Sequence, residues 1–263
     1  MNRYTSSKWK RKRKKRRIQI LVSILVLLLC GISLYAWNDY RKEAKDRDIG
    51  IAHFQNQEYK KAQKQFEQAL EYHNIFGFAI SQDIRYYLAE CYFQEGQYKK
   101  ALAAYEEIDK HEKDDAYVLC YKGACYAKLK QVEKAKALFE EAISLGNVEG
   151  YHYLSKMYYD IGKYEDAITS EKKFMEVREA NGSSYQILAK SYSKAGKFKE
   201  AIKTIEKGIA LDDGQKQSLM FEEIIIYEQK LDFNTAYEKC LAYVNMYPED
   251  EQAKLELEFL ETR

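Results

Sequence analysis

Four histidines, five cysteines, 43 Lys/Arg and 41 Asp/Glu are the chain's stock of chemically active side chains, so their spacing decides whether they can act together. His53, His73, His111 and His152 are scattered through separate segments. Metal ligation needs clustered ligands with a closed geometry, so this scatter predicts no metal site. His53 stands where other segments carry a core aromatic, and a structural role is expected for it. The cysteines form no CxxC pair, and the closest two, Cys120 and Cys125, have the wrong spacing for a thioredoxin-like or zinc site. Cys91 and Cys125 are expected as free thiols, because helical placement rarely meets the geometry of a disulfide. The carboxylates lie at helical spacing from lysines, as solvated helix faces do, so no acid–base pair stands out. A phosphate loop, a dinucleotide fingerprint, an HExxH pair and a nucleophile elbow are all missing from the sequence. These exclusions predict a protein that is not an enzyme and carries no cofactor. Asn181-Gly182-Ser183 satisfies the glycosylation sequon, which matters only in a host that glycosylates.

The elements that must hold these residues begin with the stretch KWKRKRKKRRIQILVSILVLLLCGISLYAW, residues 8–37. It sets nine basic residues within ten positions before an uncharged apolar run from Ile18 to Trp37. Twenty residues suffice for a helix to cross a bilayer, whereas a cleaved signal has a core of about 7 to 15. Leu34-Tyr35-Ala36 is a poor cleavage site, and Leu27-Leu28-Leu29-Cys30 a poor lipid-attachment box. An uncleaved signal anchor is therefore expected over 18–37, with Tyr35, Trp37 and Tyr40 in an interfacial aromatic belt. Residues 1–37 hold ten Lys/Arg and no acid, while the remainder carries a net −8. By the positive-inside rule, residues 1–17 form a basic cytoplasmic tail that touches anionic lipid, and the bulk of the chain is exported. Nucleic-acid binding is not expected, since the tail lacks any folded module for it.

Beyond residue 42 one phrase returns. It reads Gly96-Gln97-Tyr98-Lys99-Lys100-Ala101, Gly162-Lys163-Tyr164-Glu165-Asp166-Ala167 and Gly196-Lys197-Phe198-Lys199-Glu200-Ala201, with looser copies ending at Ala62, Ala135 and Ala236. The six alanines are spaced 39, 34, 32, 34 and 35 residues apart, a tandem array. Nine residues upstream stand His53, Tyr92, Tyr126, Tyr158, Tyr192 and Tyr227. Twelve upstream, Gly50, Ala89, Gly123, Ser155 and Ala189 are small, so two helix backbones can approach closely there. The glycine five before the alanine suits the turn between the helices. The segment Ile75-Phe76-Gly77-Phe78-Ala79-Ile80 in the long first interval is expected to pack between repeats rather than be exposed. Residues 250–262, with Ala253, Leu257 and Leu260 on one side, read as a solvating cap helix. No helix breaker stands between Ile32 and Asn56, so the spanning helix is expected to run straight into the first repeat.

These residues carry a clear resemblance to the tetratricopeptide repeat family, whose pattern is a bulky residue, Leu-Gly, Tyr, Gly-x-Tyr, Ala, Phe, Ala and Pro over 34 positions. The resemblance implies a solenoid of about six helical hairpins over 38–263, the cap helix at 250–262 included, so that with the transmembrane helix read above the chain is expected to be all-α. The repeats fall at about 43–76, 82–115, 116–149, 148–181, 182–215 and 217–250. The copies depart from the pattern in four ways: His53 replaces Tyr, Ile224 the small residue and Glu171 an aromatic, and only the sixth repeat keeps the closing proline, Pro248. In this family the first helix of each repeat lines a groove that holds partner peptides. Carried onto the matching positions, the groove would comprise Tyr86, Glu90, Phe93, Gln94, Lys128, His152, Lys156, Tyr159, Gln186, Lys190, Lys194, Phe221 and Ile225. An aromatic start leads to a lysine-bearing middle, suited to an acidic or C-terminal peptide, or equally to ordinary solvation. The Lys/Asn/Lys/Arg clamp of chaperone-binding members is not reproduced, the first-repeat sites being Arg47 and Ile51.

The expected function is a single-pass membrane scaffold or adaptor, with protein or peptide partners in its groove, acting in assembly of a bacterial cell envelope. The alternative is an extracytoplasmic ligand sensor, or a substrate-recruiting subunit, that signals through the basic tail. Neither the oligomeric state nor the partner's identity follows from the sequence.

Overall fold

A computed structural model of the protein describes residues 3–72, 78–110, 115–211 and 213–263, with side chains from Lys14 onward except that of Phe78. The described residues are helical hairpins and their turns. The chain divides into two compact units, residues 1–111 and 112–263. The first unit holds α1 (Arg3–Gln55), α2 (Tyr59–Ala69), α3 (Phe78–Gln94) and α4 (Tyr98–Asp109). The second holds α5 (Ala116–Lys128), α6 (Val132–Ser144), α7 (Glu149–Asp160), α8 (Tyr164–Val177), α9 (Gly182–Lys194), α10 (Phe198–Leu211), α11 (Lys216–Gln229), α12 (Phe233–Met246) and α13 (Glu251–Leu260).

The six repeated alanines explain why these helices pair. Ala62, Ala101, Ala135, Ala167, Ala201 and Ala236 are each 0% exposed, at the point where the second helix of a hairpin meets the first. A side chain one carbon long lets the backbones close in, and the neighbouring large groups fill what remains. In the first and third repeats the residue twelve upstream is glycine. A Cβ built on Gly50 would stand 2.5 Å from Cε1 of Phe66, and one on Gly123 would stand 2.5 Å from Cε1 of Phe139. The ring four residues past the alanine thus occupies the volume that the glycine leaves. The sixth repeat inverts the exchange, with large Ile224 in one buried cluster with small Cys240. Ile224 is therefore accommodated rather than disruptive.

Each hairpin turn is closed in the same way. The residue five before the alanine has positive φ in all six: Gln57 (58°), Gly96 (72°), Lys130 (60°), Gly162 (78°), Gly196 (75°) and Leu231 (64°). The next residue's amide then donates back to the carbonyl of His53, Tyr92, Tyr126, Tyr158, Tyr192 or Tyr227, at 2.8–2.9 Å. This is the Schellman closure, which satisfies a carbonyl that the helix end would leave unpaired. Helix starts are capped where the sequence offers Asp or Asn. Asp115, Asn181, Asp232 and Asp250 each accept from a backbone amide two or three residues on, a contact worth about 1 kcal/mol. Asn181 of the sequon is thus also the cap of α9.

α1 runs unbroken for 53 residues, roughly 80 Å at the α-helical rise. It holds one stretch long and apolar enough to cross a membrane, and that stretch is not buried by the rest of the protein. Burial starts at Ala36 and recurs at Asp39, Glu43, Asp46 and Gly50, one face of the helix at spacings of three and four. Tyr72 Oη donates to Asp46 at 3.0 Å, Ser81 Oγ donates to Glu43 at 2.5 Å, and Arg47 pairs with Asp83 of α3. The segment after the apolar run is therefore fastened along its side to α2 and α3. Of the apolar insert, Phe78–Ile80 form the first turn of α3, and Ile80 packs against the cluster of Phe66, Ile84 and Leu88. The rest of the insert, His73 and His111 lie outside the described residues.

Candidate partner-binding groove

The residues expected to line a groove sit on the first helices of the hairpins. In the first unit, Tyr86, Glu90 and Phe93 on α3 are half-buried and Gln94 is exposed. Glu90 is engaged within the unit, accepting from Gln94 Nε2 at 2.6 Å and from Tyr105 Oη at 3.2 Å. Phe93 meets Tyr98 edge-on, with centroids 5.3 Å apart.

In the second unit the lysine-bearing stretch is more neutral than its sequence suggests. Lys128 at the end of α5 donates to Asp160 on α7 at 3.0 Å. Lys190 on α9 lies 3.4 Å from the buried carboxylate of Glu222 on α11 and 5.7 Å from the centroid of the Tyr159 ring on α7. Burial raises the Glu222 carboxyl above the ordinary range, and the charge of Lys190 pulls it back. Burial likewise raises the Tyr159 hydroxyl, with Glu222 adding to the effect. Lys156 and Lys194 are exposed and make no ion pair among the described residues. Their ammonium groups face solvent, although the charge of Lys194 also acts on the Glu222 carboxylate. Gln186 is half-buried beside them, and Phe221 and Ile225 on α11 bring the row to an apolar end.

His152 turns away from solvent. Its Nδ1 lies 3.0 Å from both carboxylate oxygens of Glu171, which is 0% exposed, and its ring packs on Phe174 at 5.3 Å. The imidazole is thus the partner that Glu171 needs for standing where other repeats hold Phe66, Tyr105 and Phe139. Sequence reasoning missed both this pair and the acids Asp160 and Glu222. One signal was present: Glu222 stands fourteen residues before Ala236, where earlier repeats carry Tyr87, Tyr121 and Tyr153. An acid replacing an aromatic on an inner face calls for a cation nearby, and Lys190 supplies it.

Burial keeps Cys91, Cys120 and Cys240 as thiols. Cys91, Cys120, Cys125 and Cys240 are buried free thiols, and Cys30 is exposed on α1. Burial pushes Cys91 and Cys120 up to about 12 and Cys240 to about 11, far from the thiolate that nucleophilic chemistry needs. No group of three or more His, Cys, Asp or Glu among the described residues is placed to hold a metal ion.

Stacked helical hairpins, each closed by the same turn and presenting a row of side chains along its first helices, define an all-α solenoid of the kind that carries protein–protein contacts. The tetratricopeptide repeat pattern is matched over residues 47–117 and again over 116–145 and 182–214, together about half of the chain. The chain belongs to the tetratricopeptide repeat family.

Solved structures share the fold. PilW, described as a widely conserved type IV pilus biogenesis factor, superposes with a TM-score of 0.64 at 15% identity, over 82% of this chain and 98% of that one. Pseudomonas aeruginosa pilF superposes with a TM-score of 0.57 at 19% identity, over 84% of this chain and 98% of that one. A chain of the APC/C hetero-tetramer Cut9-Hcn1 gives a TM-score of 0.64 at 14% identity over 83% of this chain, which spans 43% of that longer protein. No curated protein matches the sequence. Proteins of this fold are in general scaffolds rather than catalysts, and an adaptor role between protein partners follows from the family.

Proposed function

We propose that the protein is a single-pass membrane scaffold whose repeats hold protein or peptide partners outside the cytoplasm, in assembly of a bacterial cell envelope. The observation that carries this reading is α1. Its apolar stretch is exposed from Ile18 to Tyr35, and the same unbroken helix then supplies the first helix of the first repeat. Solvent exposure of so long an apolar helix is costly in water, and a bilayer removes the cost. The basic residues before it favour retention of the N-terminus in the cytoplasm. Arg47, Glu43 and Asp46, fastened to Asp83, Ser81 and Tyr72, support a mount of fixed attitude rather than a loose tether. Each unit carries its own share of the proposed partner surface: in the first, the α3 residues with Phe93 as apolar anchor, and in the second, Lys156 and Lys194 for an anionic group with Tyr159 and Phe221 as apolar anchors.

Reporter fusions after residue 45 and at the C-terminus test the topology, and a cytoplasmic signal from both overturns it. A photoreactive residue at Tyr159 or Phe93, crosslinked in native membranes, identifies the partner. The continuity of α1 also favours a second reading, in which partner binding is passed to the basic tail. Replacing residues 1–37 with an unrelated anchor separates the two: a scaffold keeps its function, and a sensor loses it.

A further inference from the structure

The row of first helices does not end at α11. Adding 34 to the buried residues Leu219, Glu223 and Ile226 of α11 gives Ala253, Leu257 and Leu260, the inward face of α13. In that register Phe221 and Ile225 correspond to Leu255 and Phe259. Those two are 67% and 42% exposed, so α13 continues the groove with an apolar pair open to solvent, Phe259 screened in part by the Arg263 side chain.

The polar group between them differs from its counterpart one helix earlier. Glu222 on α11 meets Lys190 of α9, the first helix of the hairpin before. Its equivalent on α13, Glu256, meets Glu228 of α11 instead. One oxygen of Glu228, Oε1, is buried and accepts no hydrogen bond. The first junction is neutralised within the chain, and the second brings two carboxyl groups together with no cation among the described residues. The chain's own Arg263 shows that a cation suits this surface, since its guanidinium lies over the Phe259 ring, 4.7 Å from the centroid.

We infer that this end of the groove docks a cationic, apolar peptide segment of a partner protein. Its Lys or Arg would seat against Glu228 and Glu256, and its Leu, Val or Phe neighbours would cover Leu255 and Phe259. The inference rests on the reading that the repeats bind protein partners. It adds a direction: a partner lying along the second unit meets exposed lysines at α7 and α9 and then, between α11 and α13, a carboxyl pair that no cation neutralises among the described residues, so its own charges must be zoned in the opposite order.

The test uses the full chain in detergent at about pH 8 and two fluorescent peptides, one of Leu and Lys, the other with every Lys changed to Glu. The Leu/Lys peptide should bind, and Glu228→Gln with Glu256→Gln, or Leu255→Ser with Phe259→Ser, should weaken it at least about tenfold. Lys156→Glu with Lys194→Glu should not weaken it. Thermal unfolding of each variant guards against misfolding, and glutamine keeps the shape of the site. Binding that survives the glutamine pair, equal binding of the Glu peptide at this end, absence of binding, or burial of the patch by self-association that Leu255→Ser abolishes would each overturn the inference. Capture of an acidic partner at Tyr159 alongside any of those results would leave the broader proposal standing, so the two fail separately.

Discussion

The third and fourth repeats meet the same packing requirement with opposite chemistry. In the third, Gly123 makes room for the ring of Phe139, and the contact is wholly apolar. In the fourth, the same two places hold Ser155 and Glu171, both fully buried, and the acid reaches His152. Ser155 Oγ finds no hydrogen-bond partner, so even this polar solution is incomplete. The pairing of small with large is thus a rule about volume, and the fold accepts a polar occupant only when a neighbouring helix brings its partner. An apolar contact of this kind contributes by its own burial, whereas a buried polar pair mainly offsets its own desolvation.

The largest effect is expected where the apolar version is cut. Phe139→Ala should cost about 3–5 kcal/mol, because a cavity opens beneath Gly123 that the backbone cannot fill. In the fourth repeat, His152→Ala should cost about 3 kcal/mol, mostly because Glu171 is left buried without its donor. The comparison is sharpened by transplanting one solution into the other. Ser155→Gly with Glu171→Phe and His152→Leu should be neutral or stabilising by roughly 1–4 kcal/mol, despite three changes in one core. Chemical denaturation of the four proteins checks all of this. A transplant as damaging as His152→Ala would mean that the histidine–glutamate pair organises the repeat instead of merely being tolerated.

Glu228 extends the comparison to a half-buried acid, one oxygen shielded from water, that lacks a base. Burial, reinforced by Glu256, pushes its carboxyl up to about 7, above the roughly 4.3 of an unfolded chain. The folded state therefore holds this proton more tightly than the unfolded one. Its stabilising contribution is full below about pH 4 and is lost as pH climbs through about 7. Glu228→Gln should flatten the fall in melting temperature between about pH 5 and 8, and an unchanged slope would show that the group is better solvated than its surroundings imply.

The fold was legible in the sequence because its requirements are local and periodic. Alanine at the crossing, an aromatic nine before it and a small residue twelve before it each answer to one contact, repeated six times. The groove was legible only as a list of positions. Lys128 and Lys190 read as open charges because Asp160 and Glu222 stand 32 residues further on, on the next first helix, where helical spacing within one element says nothing. Glu171 was visible as an anomaly, but its partner lies 19 residues earlier across a turn, and only the packed hairpin joins them. The lateral fastening of α1 was hidden for the same reason, since Asp39, Glu43 and Asp46 read as surface acids until α2 and α3 cover them.

The smallest expected effect separates the same two repeats at their turns. The third uses Lys130 at φ 60°, and the fourth uses Gly162 at φ 78°. A side chain in the left-handed region costs about 1–2 kcal/mol from the clash of its Cβ with the following carbonyl, while glycine escapes the clash but loses more freedom on folding. Lys130→Gly should therefore stabilise by only about 0.5–1 kcal/mol, and Gly162→Ala should destabilise by about 1 kcal/mol. Gln57→Gly and Leu231→Gly should behave as Lys130→Gly does, since the same closure follows each of them. If all three glycine variants lose stability, the lysine, glutamine and leucine side chains must contribute contacts of their own at these turns. The positive φ would then be a consequence of the closure that any residue accepts, and the glycines in the other three copies would reflect ease of folding more than native-state strain.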